Sequence, residues 1–401
     1  MSATVPGRDA HRMTTIYWRL WWAAGIDAIG DGVLTAAIPL LAITLTADPR
    51  LVALLSAATY LPWLLLSLPT GALADRCDRA TLMWRTQTVQ ALLTTVAAVL
   101  AALGGLSLPA LMTITFGLGA CEVVVGTAGQ AILPDLVERP LLHKANGHQQ
   151  AITTVGQQFA GPPLGSLLFA AAAALPLTVD AATFALSAAL LAGLPGRPPA
   201  LRQPTRVIDG IRLLAGQKLL RTLAVLLAVN TFCGQLGNAT LVLLATQILH
   251  LSARGYGLLL AGAAVGSVLG GLLNARLAAK IGTHCALYAA LSANVLIFPA
   301  IGLSPNALVL SVLLAANGFV TTLWNIVTVS LRQELVPPGL LGRVTSVYKM
   351  LGWGLMPLGA LAGGLVADVF GLRAPYPIAG LLRGAALLAA TPALRHVNRR
   401  R

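Results

Sequence analysis

Charge is scarce in this chain. Only 10% of its 401 residues are Asp, Glu, Lys or Arg, and only 13 are acidic, where a soluble domain carries roughly 25%. That shortage excludes most water-soluble folds. No segment between the apolar runs is long enough to form a soluble enzyme or binding domain of its own. Cysteine is equally sparse: Cys77, Cys121, Cys233 and Cys285 lie far apart, with no CxxC or Cys/His cluster, so neither a disulfide framework nor a metal site is indicated. No Walker motif is present, which argues against ATP hydrolysis by this chain, and no nucleotide or other cofactor is called for. Aromatics make up 5% and do not interleave with the basic residues. The net charge of +14 therefore does not read as a nucleic-acid surface. The amino-terminal segment runs into a long apolar stretch without a small-residue cleavage site, so the first helix is expected to be retained.

What the chain has is apolar surface: 57% of its residues are hydrophobic and the mean hydropathy is +0.79. A membrane-crossing helix takes about 20 residues, so about twelve would fit and still leave length for connections. Apolar windows between charged or Pro/Gly-rich breaks fall near 17–45, 51–73, 84–103, 109–132, 147–173, 178–196, 222–248, 256–279, 284–303, 307–331, 345–367 and 375–394, to within about three residues. The expected fold is thus an all-α membrane protein of twelve transmembrane helices.

With the amino terminus inside, the outer connections hold Arg50, Arg254 and Arg373, Arg383 falls inside the last span, and the rest of the 27 Lys and Arg lie on the cytoplasmic side. They include Arg76, Arg79, Arg85, Arg139, Lys144 and the tail Arg395, Arg399, Arg400 and Arg401. Both termini are therefore expected in the cytoplasm, in a multi-pass protein of the cytoplasmic membrane. The polar stretch Gly196–Arg221, with six basic residues and three prolines, reads as a cytoplasmic linker. It divides the chain into a six-helix half over 1–196, a linker over 197–221 and a second six-helix half over 222–401. The halves echo each other: DLVERPLLHK from Asp135 aligns without gaps on ELVPPGLLGR from Glu334, and Gly71 and Arg76 correspond to Gly271 and Arg276. Parallel repeats of this kind occur in transporters whose site lies between the halves at mid-membrane.

GALADRCDRA, Gly71 to Ala80, resembles the signature loop of the major facilitator superfamily in Gly71, Asp75, Arg76 and Arg79. Asp78 stands where a second Gly is common, and Ala80 where another basic residue often sits. The resemblance implies the superfamily's pseudo-symmetric fold and a charge latch at these four residues that stabilises one side of an alternating cycle. In span five, Gly156 and then Gly161-Pro162-Pro163-Leu164-Gly165 look like the Gly-Pro motif of drug/proton antiporters, with Ser166 in place of a final Gly. Proline removes a backbone donor and glycine removes bulk, so this helix is expected to bend and to admit a close neighbour. Ordinary packing of a membrane helix is the competing reading. The GDG at Gly30–Gly32, the stretch around Glu122 and the segment from Gly342 resemble the exporter branch that includes siderophore and macrolide efflux proteins. Span four lacks the Arg that many drug/proton antiporters carry there, so their proton relay does not transfer whole.

Acids inside spans are site candidates because ionising them in hydrocarbon is costly. Asp27 and Asp31 are four residues apart on one helix face. Asp31, deeper and flanked by two glycines, is the favoured proton-coupling residue, with Asp27 sharing the proton or meeting a cation; a permanent structural hydrogen bond is the alternative for either. Glu122, midway along span four, is the third proton-coupling candidate. Asp180 reads as an interfacial or capping residue, and Arg383 as structural. For the substrate wall the candidates are Tyr60, Trp63, Gln157 and Gln158 from the first half and Asn230, Gln235, Asn238, Trp324, Asn325 and Trp353 from the second, since aromatics with a few amides suit a bulky amphipathic solute. Each also reads as an interhelical contact or an interfacial ring.

The expected function is a proton-coupled secondary exporter of hydrophobic or amphipathic small molecules, working as a monomer with substrate, protons and bilayer as its partners. The rivals are a facilitator or importer of the same fold and a membrane sensor that binds without transport.

Overall fold

The computed structural model describes residues 13–138, 141–195 and 207–395. Arg139, the linker's Arg197, Arg202 and Arg206, and the tail's Arg399, Arg400 and Arg401 lie outside the described residues. Among the described residues every regular element is helical.

The first group comprises α1 (Thr15–Leu45), α2 (Pro49–Arg76), α3 (Arg79–Ala102), α4 (Leu108–Leu136), α5 (Leu142–Thr154), a π turn (Val155–Ala160), α6 (Gly161–Ala171) and α7 (Leu175–Ala192). Side-chain caps set several of the starts, satisfying backbone donors that the first turn leaves orphaned. Thr14 accepts from Tyr17 N, Asp48 from Arg50 N and Asp78 from Thr81 N. Asp48 lies in the connection before α2, and the Arg50 backbone N–H holds its carboxyl below the usual range.

Then follow α8 (Val207–Gly216), α9 (Lys218–Asn238), α10 (Leu241–Leu243), a second π turn (Leu244–Ile248), α11 (Ala253–Ile281), α12 (Thr283–Gly302), α13 (Ala307–Leu335), α14 (Pro338–Gly354), α15 (Met356–Phe370) and α16 (Pro375–Arg395). Ser252 and Asn306 cap α11 and α13 in the same manner. The expected linker therefore contains a helix, α8, and ends where α9 begins.

Among the described residues ten helical segments are long and apolar enough to cross a membrane. Two expected spans miss that mark for visible reasons. Helix α3 carries Arg85, Gln87 and Gln90 within its length, and the fifth span carries Gln149, Gln150, Gln157 and Gln158 as well as Pro162 and Pro163. Both are nonetheless packed into the bundle: α3 against α4 and α7, and α6 against α1 and α11.

Neighbour relations recur along the chain. In the first group α1 packs on α6 and α7, α2 on α4, and α3 on α4 and α7; in the second α9 packs on α15 and α16, α11 on α13, and α12 on α13 and α16. Contacts between the groups run mainly through α2 with α14 and α15, and α6 with α11. They are tight at the end where α2 and α11 begin. There Gly364 lies against Pro49 and Ala53, Gly257 against Ser166, and Arg50 pairs with Asp368 at 3.4 Å as well as with Asp48.

Candidate functional site

The site is built around a backbone contact. A Cβ on Gly32 would stand 2.6 Å from the Gly156 carbonyl oxygen and 2.8 Å from the Gly161 Cα, so α1 and the π turn touch only because Gly32 has no side chain. Gly156 lies equally close to Ala28, and Gly165 to Val33. The Gly-Pro motif thus does bring a neighbour close, and the bend it was expected to produce takes the form of the π turn just before Pro162 and Pro163. One consequence is chemical: the π turn carries Gln157 to α1, where its Nε2 donates to Asp31 Oδ2 at 3.0 Å.

Asp27 lies one turn from Asp31 and accepts from Gln87 Nε2 of α3 at 2.9 Å. Oxygens of Asp27, Asp31 and Glu122 all fall within 4.8 Å of one another, near enough for each carboxyl to feel the charge of the others. Glu122 Oε2 is buried without a hydrogen-bond partner. The three acids that the sequence marked on α1 and α4 therefore form one cluster.

The cluster opens on a cavity of about 410 Å³ between the groups. Eight expected residues line it: Asp31, Glu122, Tyr60, Trp63, Gln157, Gln158, Asn238 and Trp353. Trp63 of α2 and Trp353 of α14 stack with centroids 4.8 Å apart, and Tyr60 stands 6.3 Å from Trp353. Among the described residues no Lys or Arg lines the cavity. A flat apolar cation suits such a wall, with indole faces beside it and carboxyls at its edge.

Other expected residues fall elsewhere. Gln235 is behind the wall, within hydrogen-bonding reach of the Tyr60 hydroxyl. Asn230 offers its backbone oxygen to Arg383 Nη2 at 3.0 Å. Trp324, 2% exposed, is packed among Leu220, Leu223, Val327 and Tyr348, so it is core rather than cavity wall. Asn325 is exposed and is also absent from the lining. Arg383 is buried, stacks 3.6 Å above Phe298 and bridges α16 to α9, which agrees with a structural role.

In the expected latch, Arg79 is buried and pairs with Asp135 of α4 while donating to the Ala131 carbonyl at 3.0 Å. This pair ties α3 to α4 inside the first group. Arg76 is exposed, nothing lies within 4 Å of a Cβ built on Gly71, and the Asp75 side chain lies outside the described residues.

The sequence reading missed Gln87 and Gln90 of α3, both 1% exposed, of which Gln90 lines the cavity. Their spacing with Thr94, at i, i+3 and i+7, is a polar stripe on one helix face and was the available signal. It also misplaced Asp180: α7 is capped at Ala174 without a side-chain bond, and Asp180 is fully buried inside the bundle.

A helical bundle that crosses the membrane many times, with repeated neighbour relations and a polar cavity between two groups, defines a secondary transporter. Solved structures agree on the fold. The nucleoside transporter NupG superposes with a TM-score of 0.76 at 14% identity, over 95% of this chain and 99% of that one. A bacterial homologue of the human lysosomal transporter Spinster, in an inward-facing and unoccupied conformation, gives 0.71 at 16% identity, over 97% and 98%. Residues 10–400 match the transmembrane secretion effector family, and the chain belongs to that family within the major facilitator superfamily. It is also similar to the multidrug efflux pump Tap of Mycolicibacterium fortuitum, 26% identical over 374 residues that span 88% of this chain and 90% of that protein. Tap of Mycobacterium tuberculosis (strain ATCC 25618 / H37Rv) is 26% identical over 388 residues, 88% of each chain.

Proposed function

We propose that this protein exports hydrophobic or amphipathic small molecules, drugs or natural products among them, in exchange for protons. The observation that carries the reading is the cavity in which stacked indoles face a cluster of carboxyls, with no basic residue in the wall among the described residues. The relatedness to Tap supports the direction and the substrate class.

The cycle follows from the cost of buried charge. With Asp31 and Glu122 ionised, a lipophilic cation neutralises them and is held between the rings. Protons arriving on the same carboxyls remove that attraction and release the substrate, and the discharged site returns. The halves 1–196 and 222–401 rock about the α2–α15 and α6–α11 seams, with 197–221 as their tether, and the α2/α11 end is the outer one. On the positive-inside argument both termini face the cytoplasm and the protein sits in the cytoplasmic membrane. The cavity lies within one chain, so a monomer suffices.

Proteoliposomes test this with ethidium, a planar lipophilic cation. An imposed pH gradient should drive ethidium accumulation in the wild type, and Asp31→Asn or Glu122→Gln should abolish the response to the gradient. Accumulation that ignores the gradient would make the protein a facilitator, and binding without flux a sensor.

A further inference from the structure

Asp180 is a buried carboxyl that the cycle above does not use. It lies on α7, one helix behind the cavity, with 0% exposure. Among the described residues its Oδ2 has no hydrogen-bond partner, its Oδ1 meets the Thr183 hydroxyl at 3.4 Å, and the Thr94 hydroxyl of α3 stands within hydrogen-bonding reach of the carboxyl. An ionised carboxylate so poorly solvated is costly, whereas a protonated one is tolerable.

The position of Asp180 relative to α1 is specific. A Cβ on Gly30 would overlap both Asp180 Oδ1 and Thr183 Oγ1. The α7 carboxyl therefore rests directly on the backbone of the residue preceding Asp31, and only glycine permits it. Around this contact several other polar atoms are buried without partners: Gln87 Oε1, Gln90 Oε1 and Ser187 Oγ. They add polar atoms on α3 and α7, the two helices packed around this part of α1, and buried polar groups left unpaired in this way mark a place for water or for a functional contact.

The charged and titratable groups facing Asp180 are few. Helix α1 supplies Asp27 and Asp31, while its Arg19 is bound to Gly193 O at the far end of α7. Helix α3 presents neutral Gln87, Gln90 and Thr94, its Arg79 being tied to Asp135 and its Arg85 lying over Trp84. Helix α6 has no titratable side chain, and Glu122 stands across the cavity on α4. Among the described residues no cation is placed to neutralise Asp180.

We propose that Asp180 is a second proton-holding carboxyl of the transport cycle, set behind the substrate cavity and exchanging its proton with Asp31 past Gly30. The step balances simply: the O–H bond at Asp180 breaks, one forms at Asp31, and the negative charge moves from the cavity edge to Asp180. Asp180 does not line the cavity, so it acts on coupling and leaves substrate contact to the others. This inference rests on the proton-exchange reading.

The test uses the full-length protein in proteoliposomes with ethidium, as wild type, Asp31→Asn, Asp180→Asn and Asp180→Ser. Two quantities are read: accumulation under a pH gradient across a series of gradients, and ethidium counterflow at equal pH. The Asp180 variants should keep counterflow within about twofold and lose gradient-driven accumulation by about tenfold or more. Full gradient-driven accumulation in either Asp180 variant overturns the proposal. Loss of counterflow in both assigns Asp180 a structural role and also overturns it. A wild type that ignores the gradient overturns the proton reading itself, whereas coupling lost in Asp31→Asn but intact in the Asp180 variants overturns only this inference.

Discussion

Replacing Gly32 with alanine tests the packing that creates the site. The new Cβ would stand 2.6 Å from the Gly156 carbonyl oxygen and 2.8 Å from the Gly161 Cα, and both partners are backbone, so neither can rotate away. Restoring an ordinary contact of about 3.4 Å requires α1 and the π turn to part by about 0.8 Å. The same movement would stretch the Gln157–Asp31 hydrogen bond from 3.0 Å to about 3.8 Å, beyond hydrogen-bonding range. Overpacking of this kind costs about 1–3 kcal/mol, which is roughly a fivefold to hundredfold change in an equilibrium constant. Gly32→Ala should therefore lower the melting midpoint of the purified protein and depress gradient-driven ethidium export by about tenfold, with correct membrane insertion. Gly147→Ala, where no described atom lies within 4 Å of the new Cβ, is the matched control and should leave both unchanged. Wild-type melting and wild-type export in Gly32→Ala would refute the reasoning.

Trp353→Ala removes one ring of the stacked pair, worth about 0.5–1.5 kcal/mol beyond its buried area; ethidium affinity, read by fluorescence titration, should fall about threefold to tenfold, while Trp324→Phe, a change in the core, should leave it intact. Arg79→Asp should destabilise the purified protein in a thermal melt, and Asp135→Arg added to it should recover part of the loss, because the pair joins α3 to α4. Arg50→Gln removes the bond to Asp368 at the closed end; such an exposed pair is worth about 0–1 kcal/mol, so labelling of an Ala53→Cys reporter by a membrane-impermeant thiol reagent should rise by up to about fivefold.

Much of this architecture is written in local pattern. Apolar windows bounded by Asp48, Asp78, Ser107, Ser252 and Asn306 become helices that those side chains cap, and Gly30-Asp31-Gly32 does mark where another helix touches α1. What the pattern does not carry is rotation of one helix against its neighbours. Trp324 and Trp353 sit in comparable apolar surroundings, yet packing of α13 turns the first into the core and the break after Gly354 leaves the second at the cavity. Asp180 looked like a helix-end residue because its span was judged by length alone. Its burial depends on Gly30, 150 residues earlier in the chain, and that pairing has no local signature. The signature loop marks Arg79 as a charged latch residue, but its partner Asp135 on α4 stands 56 residues further along the chain, and that pairing has no local signature either.

The central claim is that substrate and protons compete for the Asp27–Asp31–Glu122 cluster. Proton release on binding measures this directly: ethidium is added to purified protein in weakly buffered solution with a pH-indicating dye. The account predicts an acidification that saturates with ethidium occupancy and is much reduced in Asp31→Asn. Saturable ethidium binding with no proton released from the wild type would contradict it.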